Sequence, residues 1–182
     1  MPKMKRIIFY LSIVLILVGC SYLKDLGKNN HKNSGFVWDR LDNYKLEYLK
    51  PITKDWYLDK QGDEDFFVLN FVKRVPEKKE VSILITKSPE MNVEDVNVQQ
   101  LAKGKIRNLA KVDEEFINKD FGLKSYVFKG KMPISNNGKN FLYSILSYGN
   151  GFEYYIVLSS YNQPVEKDEE LGEILKSIVF YK

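Results

Sequence analysis

The sequence predicts an α+β fold, an antiparallel sheet with helices packed on it, and three observations carry that prediction. Several short segments alternate apolar and polar residues with a period of two, as half-buried strands do. Two of them flank Gly149-Asn150-Gly151, a turn composition that permits positive φ and so closes a tight antiparallel hairpin. Two other segments repeat apolar residues at intervals of three and four, the spacing of a helix face, one in the middle of the chain and one near its end.

The first residues form no part of that domain. Lys3, Lys5 and Arg6 come without an acid, and Ile7 to Val18 is apolar except for Tyr10 and Ser12, which is the charged and apolar pattern of a secretory signal. A transmembrane helix needs about 20 apolar residues, and polar residues begin here at Ser21. An uncleaved span is the competing reading. Leu17-Val18-Gly19-Cys20 resembles the lipobox of bacterial lipoproteins. That resemblance implies that residues 1–19 are removed, that Cys20 carries a diacylglycerol on its sulfur, and that its new amino group is acylated. Two or three chains hold a protein durably, at about 0.8 kcal/mol per buried methylene. Otherwise Cys20 is a small residue of a discarded signal. Ser21, in place of Asp, resembles the residue that permits export to an outer membrane; without such a membrane the address is the outer face of the plasma membrane.

Loss of residues 1–19 removes three of the 28 basic residues and none of the 24 acids, which leaves 25 against 24, a net charge of +1. The basicity of the whole chain is largely a targeting feature, and nucleic acid is not expected as a partner. With Cys20 the only cysteine, no disulfide staples the fold. The remaining 163 residues suit one domain, large enough to bury about two thirds of its unfolded surface. Residues 20–35, rich in Lys, Asn, Gly and Ser, read as a flexible tether, and residues 36–182 as the domain. His31, the single histidine, falls in the tether, where nothing would hold it as a base or ligand.

In the domain, Tyr44 to Tyr48 alternates, and Phe66 to Val75 is a strand bounded by "QGDED" and Pro76. Val81, Ile83 and Ile85 form its antiparallel partner across "PEKKE". Val98, Leu101, Ala102, Ile106 and Leu109 share one helix face, with Asn97 and Gln100 as a capping-box start. Gly104 inside that helix costs about 1 kcal/mol against Ala, so packing must hold the helix. Lys103, Lys105 and Lys111 on its other side read as a solvated surface. Strands follow at Glu114–Asn118, Ser125–Met132, 140–148 and 152–160. Val165 to Ser177 reads as a closing helix with "EKDEE" in its first turns, where acids favour the helix dipole, followed by a short apolar "IVF".

Pro51 and Trp56 in "PITKDWYL" resemble the opening Pro-x-x-x-Trp segment of the PsbP-like superfamily, which includes the DcrB-like bacterial lipoproteins. The ending "EELGEILKSIVF" resembles the closing helix and strand of that α/β/α sandwich. Pro51 and Trp56 stand five apart, with "ITKD" where a tighter turn is usual. The resemblance covers about Tyr44 to Phe180 and implies an accessory, assembly or binding module, a choice the fold alone does not make.

Catalytic chemistry is sparse. Neither His31 nor an acylated Cys20 serves a nucleophilic site, and the domain lacks the His and Cys ligands of structural zinc. No phosphate-binding glycine loop occurs, and no cofactor is expected. Asp63, Glu64 and Asp65 cluster in a turn, and Asp113, Glu114 and Glu115 enter a strand. These acids suit solvated turns, a calcium ion or a carboxylate pair, although the full EF-hand spacing is absent. "KKE" and "KGKIR" read as plain surface or as weak contacts to anionic lipid, at about 1 kcal/mol per charge.

The candidate surface is aromatic: Tyr143, Tyr148, Phe152, Tyr154, Tyr155 and Tyr161 crowd the last hairpin. Alternation sends Tyr154 and Tyr155 to opposite faces. Rings under a helix are core, whereas rings on an open face suit a protein or glycan partner. The expectation is a lipid-anchored envelope protein, held to the membrane by its N-terminal lipid, whose domain is a non-enzymatic binding or assembly module for an envelope protein partner. The competing expectation is a small-ligand-binding or hydrolytic domain that uses the aromatic hairpin and nearby carboxylates.

Overall fold

The computed structural model describes residues 35–74, 77–106, 111–133, 139–161 and 163–182. Residues 20–34 of the tether, with Cys20 and His31, and also Pro76 and Leu109, lie outside the described residues. Strands β1 (Phe36–Leu41) and β2 (Leu46–Pro51) come first, joined by a 3-10 turn at Asp42–Tyr44. β3 (Trp56–Gly62), β4 (Phe66–Lys73) and β5 (Lys79–Lys87) precede helix α1 (Val96–Ile106). β6 (Lys111–Asn118), β7 (Ser125–Pro133), β8 (Lys139–Gly149) and β9 (Phe152–Tyr161) follow. A 3-10 turn at Val165–Lys167, helix α2 (Glu169–Ser177) and β10 (Val179–Phe180) complete the described chain.

Seven strands form one antiparallel sheet in the order β3-β4-β5-β9-β8-β7-β6, and β1-β2-β10 form a small second sheet. The alternation of the sequence becomes register. Phe67, Leu69 and Phe71 of β4 stand opposite Ile85, Ile83 and Val81 of β5, and these in turn opposite Tyr154, Ile156 and Leu158 of β9. All nine are buried. This inner face of the large sheet packs on Phe36, Leu46, Tyr48 and Phe180 of the small sheet and on Leu171, Ile174 and Leu175 of α2. The outer face is covered in part by α1, whose Val98 and Ala102 pack with Val93 on Tyr126, Phe128, Leu146 and Tyr148.

The architecture is α+β but dominated by sheet, with two α-helices among the described residues. It departs from an α/β/α sandwich because α2, nine residues long, shares its layer with the small sheet. The β8–β9 hairpin closes through Asn150 and Gly151, with φ of +55° and +81°, the two left-handed positions of a two-residue turn.

Several elements differ from the sequence expectation, each for a local reason. Tyr44 ends a 3-10 turn rather than opening a strand. The capping residue of α1 is Asp95, whose carboxylate accepts the Asn97 N–H at 2.9 Å, so Asn97 lies inside the helix rather than at its start. Leu101 is 49 % exposed, off the buried face that its spacing implies. Lys103 and Lys105 are ion-paired to Glu115 and Glu153 of the sheet, and Lys111 belongs to β6, so these three do not form one solvated helix face. The closing helix is split, because Asp168 is extended and caps α2 by accepting the Leu171 N–H at 3.1 Å.

Candidate functional site

The six aromatic residues of the last hairpin divide between the two faces of the large sheet, and most are packed. Tyr154 is fully buried on the inner face, its ring 4.6 Å from Phe180 and its hydroxyl donating to the Tyr44 carbonyl at 2.9 Å. Tyr143 is buried on the same side. Phe152, half-buried, stands edge-on to Tyr44 with centroids 5.4 Å apart. Tyr148 is buried on the outer face and donates to Glu153 at 2.7 Å, while Tyr155 packs beside it, half-buried. Tyr161 is half-buried at the end of β9. The hairpin is thus chiefly core: Tyr143, Tyr148 and Tyr154 offer no open surface, and only Phe152, Tyr155 and Tyr161 keep part of their rings accessible.

The outer face carries two matched polar clasps that hold α1. Lys103 pairs with Glu115 at 3.1 Å, and Glu115 accepts the Tyr126 hydroxyl at 2.6 Å. Lys105 pairs with Glu153, which accepts the Tyr148 hydroxyl, and its ammonium lies 5.1 Å from the centroid of Tyr155. Bonds from Tyr126 and Lys103 hold the Glu115 carboxyl below its usual range. Burial and the carboxylate partner push the phenols of Tyr126 and Tyr148 up.

Sequence reasoning missed a cleft on the inner face, between β6, β7, β8 and the 3-10 turn before α2. Its volume is about 260 Å³, and Asp113, Glu114, Lys129, Lys131, Phe141 and Glu166 are among the lining residues. Lys129 meets Glu114 at 3.1 Å and Glu166 at 2.8 Å, and Lys131 meets Asp113 at 2.9 Å. Burial pulls the Lys129 ammonium down, and its two carboxylate partners more than offset this, so its pKa is raised. Every charged group of this cleft is therefore ion-paired within it, three carboxylates on two ammoniums. Its residues come from separate strands and a turn, so only the "DEE" of β6 signalled it in the sequence.

The other acidic cluster works as a turn. Asp63 accepts the backbone N–H groups of Asp65 and Phe66 at 3.0 and 3.1 Å, and Asp65 pairs with Lys87 at 2.8 Å. Among the described residues no group of three His, Cys, Asp or Glu side chains converges as a metal site. Burial also raises the phenols of Tyr143, Tyr154 and Tyr155, which keeps them protonated and uncharged at neutral pH. No helix among the described residues is long and apolar enough to cross a membrane.

Comparisons with known proteins bear on both ends of this description. Residues 4–21 match the prokaryotic membrane lipoprotein lipid attachment site, and Cys20 lies inside the matched segment. No curated protein matches the chain at a significant level. The domain is similar in structure to cyanobacterial PsbP (CyanoP) from Synechocystis sp. PCC 6803, with 13 % identity, 81 % of this chain and 93 % of that chain covered, and a TM-score of 0.55. A further similar structure is LpqN of Mycobacterium tuberculosis, described as involved in cell envelope biogenesis, with 13 % identity, 74 % and 83 % covered, and a TM-score of 0.45. The N-terminal segment thus carries the lipid attachment site of prokaryotic membrane lipoproteins, and the domain behind it has the PsbP-like fold.

Proposed function

We propose that this chain is a lipid-anchored cell-envelope protein, acylated at Cys20, whose domain acts as a non-enzymatic binding or assembly module for an envelope protein. The observation that carries the reading is the lipid attachment site at residues 4–21 ahead of a folded domain. The domain supports it from the other side: its aromatic hairpin is packed as core, and the charges of its cleft are paired with one another. Ser21 favours the outer membrane where the cell has one.

The test is crosslinking in cells, followed by purification from detergent-solubilised membranes, with wild type beside Cys20→Ala. The expected result is a lipid on the intact mass of the wild type and a discrete crosslinked partner that is lost in the variant. A lipidated protein that yields no partner would overturn the assembly role. The cleft of about 260 Å³ would then make ligand and hydrolase screens the next step, since Asp113 and Glu114 are the carboxylates closest to such a role.

A further inference from the structure

Three large apolar side chains stand exposed near the β2–β3 end of the domain, with Tyr57 and Leu58, neighbours on β3, on opposite faces of the sheet at that tip. Ile52 (55 %), Tyr57 (75 %) and Leu58 (45 %) lie within seven residues, on the turn from β2 to β3 and the first part of β3. β3 is an outer strand of the large sheet, so among the described residues no further strand pairs with its free edge. The pattern of β3 is that of a surface: only Trp56 is buried.

The same place is where the chain arrives from its N-terminus. The Ile52 N–H donates to the Gly35 carbonyl at 2.9 Å, which fixes the entry point of the domain beside this turn. Fifteen residue steps lead from Cys20 to Gly35, and they span at most about 50 Å. A lipid on Cys20 therefore confines the Ile52 turn to the neighbourhood of the bilayer, where even a weak contact is populated.

The composition of the surface fits an interface of headgroups and acyl chains. Tyr57 combines an apolar ring with a polar tip, and Lys54, exposed between Ile52 and Tyr57, places a charge at the end of an apolar stem. Asp55, the acid in the turn, is paired at 2.6 Å with Lys73, which also meets Glu170 at 2.8 Å. The opposite end of β3, about 20 Å away along the strand, runs into Asp63, Glu64 and Asp65, of which Asp65 alone is ion-paired among the described residues, with Lys87 at 2.8 Å, so that end keeps an excess of acid. An anionic membrane attracts the first end and repels the second, which sets the strand pointing away from the bilayer.

We propose that the β2–β3 turn and the start of β3, with Ile52, Tyr57 and Leu58 as the inserting side chains and Lys54 as the headgroup contact, form a membrane-contacting surface that docks the domain on the phospholipid bilayer holding its anchor. The inference rests on the lipid-anchored reading above and goes beyond it, because it fixes which side of the domain faces the lipid and which side is presented to a partner.

The test uses the full lipidated protein in vesicles of phosphatidylethanolamine and phosphatidylglycerol. Cys20 is the only cysteine and its sulfur is taken by the lipid, so Ile52→Cys adds a single thiol for an environment-sensitive fluorophore. Leu101→Cys, exposed on α1, serves as the reference position. The expected result is a blue-shifted emission at position 52 and at least twofold stronger quenching by nitroxide-labelled lipids than at position 101, both reduced when Tyr57→Asp is added. Equal emission and quenching at the two positions, with the lipid confirmed by intact mass and the protein retained on the vesicles, overturns this surface and leaves the anchor standing. A blue shift at position 52 that lipid quenchers do not touch also overturns it, and points to pairing of two copies along β3. Protein without lipid that leaves the vesicles overturns the anchored reading and this inference together.

Discussion

The two faces of the large sheet are covered in different ways. The inner face meets an extensive apolar surface, in which Phe71, Tyr154, Ile156 and Leu158 are essentially inaccessible. Its polar groups include ion pairs: Asp168, wholly buried, caps α2 and binds Lys79 at 2.9 Å, Glu170 bridges Lys79 and Lys73 at 2.7 and 2.8 Å, and Lys129 and Lys131 pair with Glu114, Glu166 and Asp113 around the cleft at the margin. The outer face meets α1 through only Val98 and Ala102 among the described helix side chains, and the helix is held at its margins by Lys103–Glu115 and Lys105–Glu153. Partly exposed pairs of this kind contribute about 1 kcal/mol or less, so apolar burial carries the inner cover and electrostatics assist the outer one. The difference makes α2 part of the global folding unit and α1 a region able to open locally.

The largest test of that contrast is truncation of one buried residue on each face. Phe71→Ala on the inner face should cost about 4 kcal/mol, from lost transfer energy and the cavity left behind. Val98→Ala should cost about 1.5 kcal/mol, the two methylene equivalents removed. Urea denaturation followed by circular dichroism measures both, and equal losses would break the distinction between the faces.

Asp168→Ala comes next, at about 3 kcal/mol, because it removes a helix cap and leaves Lys79 with a poorer set of partners in a mostly buried site. Ser160 and Gln163 also donate to this carboxylate, at 3.3 and 3.0 Å, and would lose their acceptor. Asp168→Asn keeps a capping oxygen and should lose less. Hydrogen exchange sharpens the comparison: Asp168→Ala should speed exchange across α2 with the global rate and leave exchange in α1 unchanged.

The same cluster gives a pH dependence. Burial pushes the carboxyls of Asp168 and Glu170 up, but their backbone and lysine bonds more than offset it and hold both below their ordinary values. Asp55, bonded to Lys73, is lowered to about 2. A carboxylate with a depressed folded pKa gives stability that is present above its unfolded value, near pH 4, and lost as pH falls through the folded one. Unfolding free energy should therefore decline below about pH 4. Asp168→Asn should flatten that decline, and an unchanged slope would remove the cluster from the account. Lys73 and Lys79 are raised despite desolvation, so the cluster stays paired through neutral and mildly alkaline pH.

These faces were unequally legible in the sequence. β4, β5 and the first part of β9 bury one side, and their alternation shows it, whereas the middles of β7 and β8 are covered on both faces and show themselves by apolar and aromatic content. β3 was missed because an outer strand exposing all but Trp56 has no such alternation to read, and β1 because its residues after Phe36 are only partly buried or exposed. The opposed directions of Tyr154 and Tyr155 follow from parity alone, but whether each face is covered depends on α1 and the small sheet. The Lys79–Asp168 pair spans 89 residues, and no local pattern announces it. The cleft around Lys129 was hidden in the same way. Ile52, Tyr57 and Leu58 were visible only as ordinary apolar residues until β3 took the edge of the sheet.

The smallest expected effect is also the one that separates stability from use. Gly104 sits in α1 with nothing within 4 Å of where a Cβ would stand, so the fold asks for no glycine there. Gly104→Ala should stabilise α1 by up to about 1 kcal/mol, through lower unfolded-chain entropy and better helix propensity. Because α1 opens locally, that gain should appear first as slower hydrogen exchange in the helix and only weakly in the global unfolding midpoint. A shift of the global midpoint by the whole amount would mean that α1 and α2 belong to one cooperative unit after all. The two faces would then differ in chemistry but not in how they unfold.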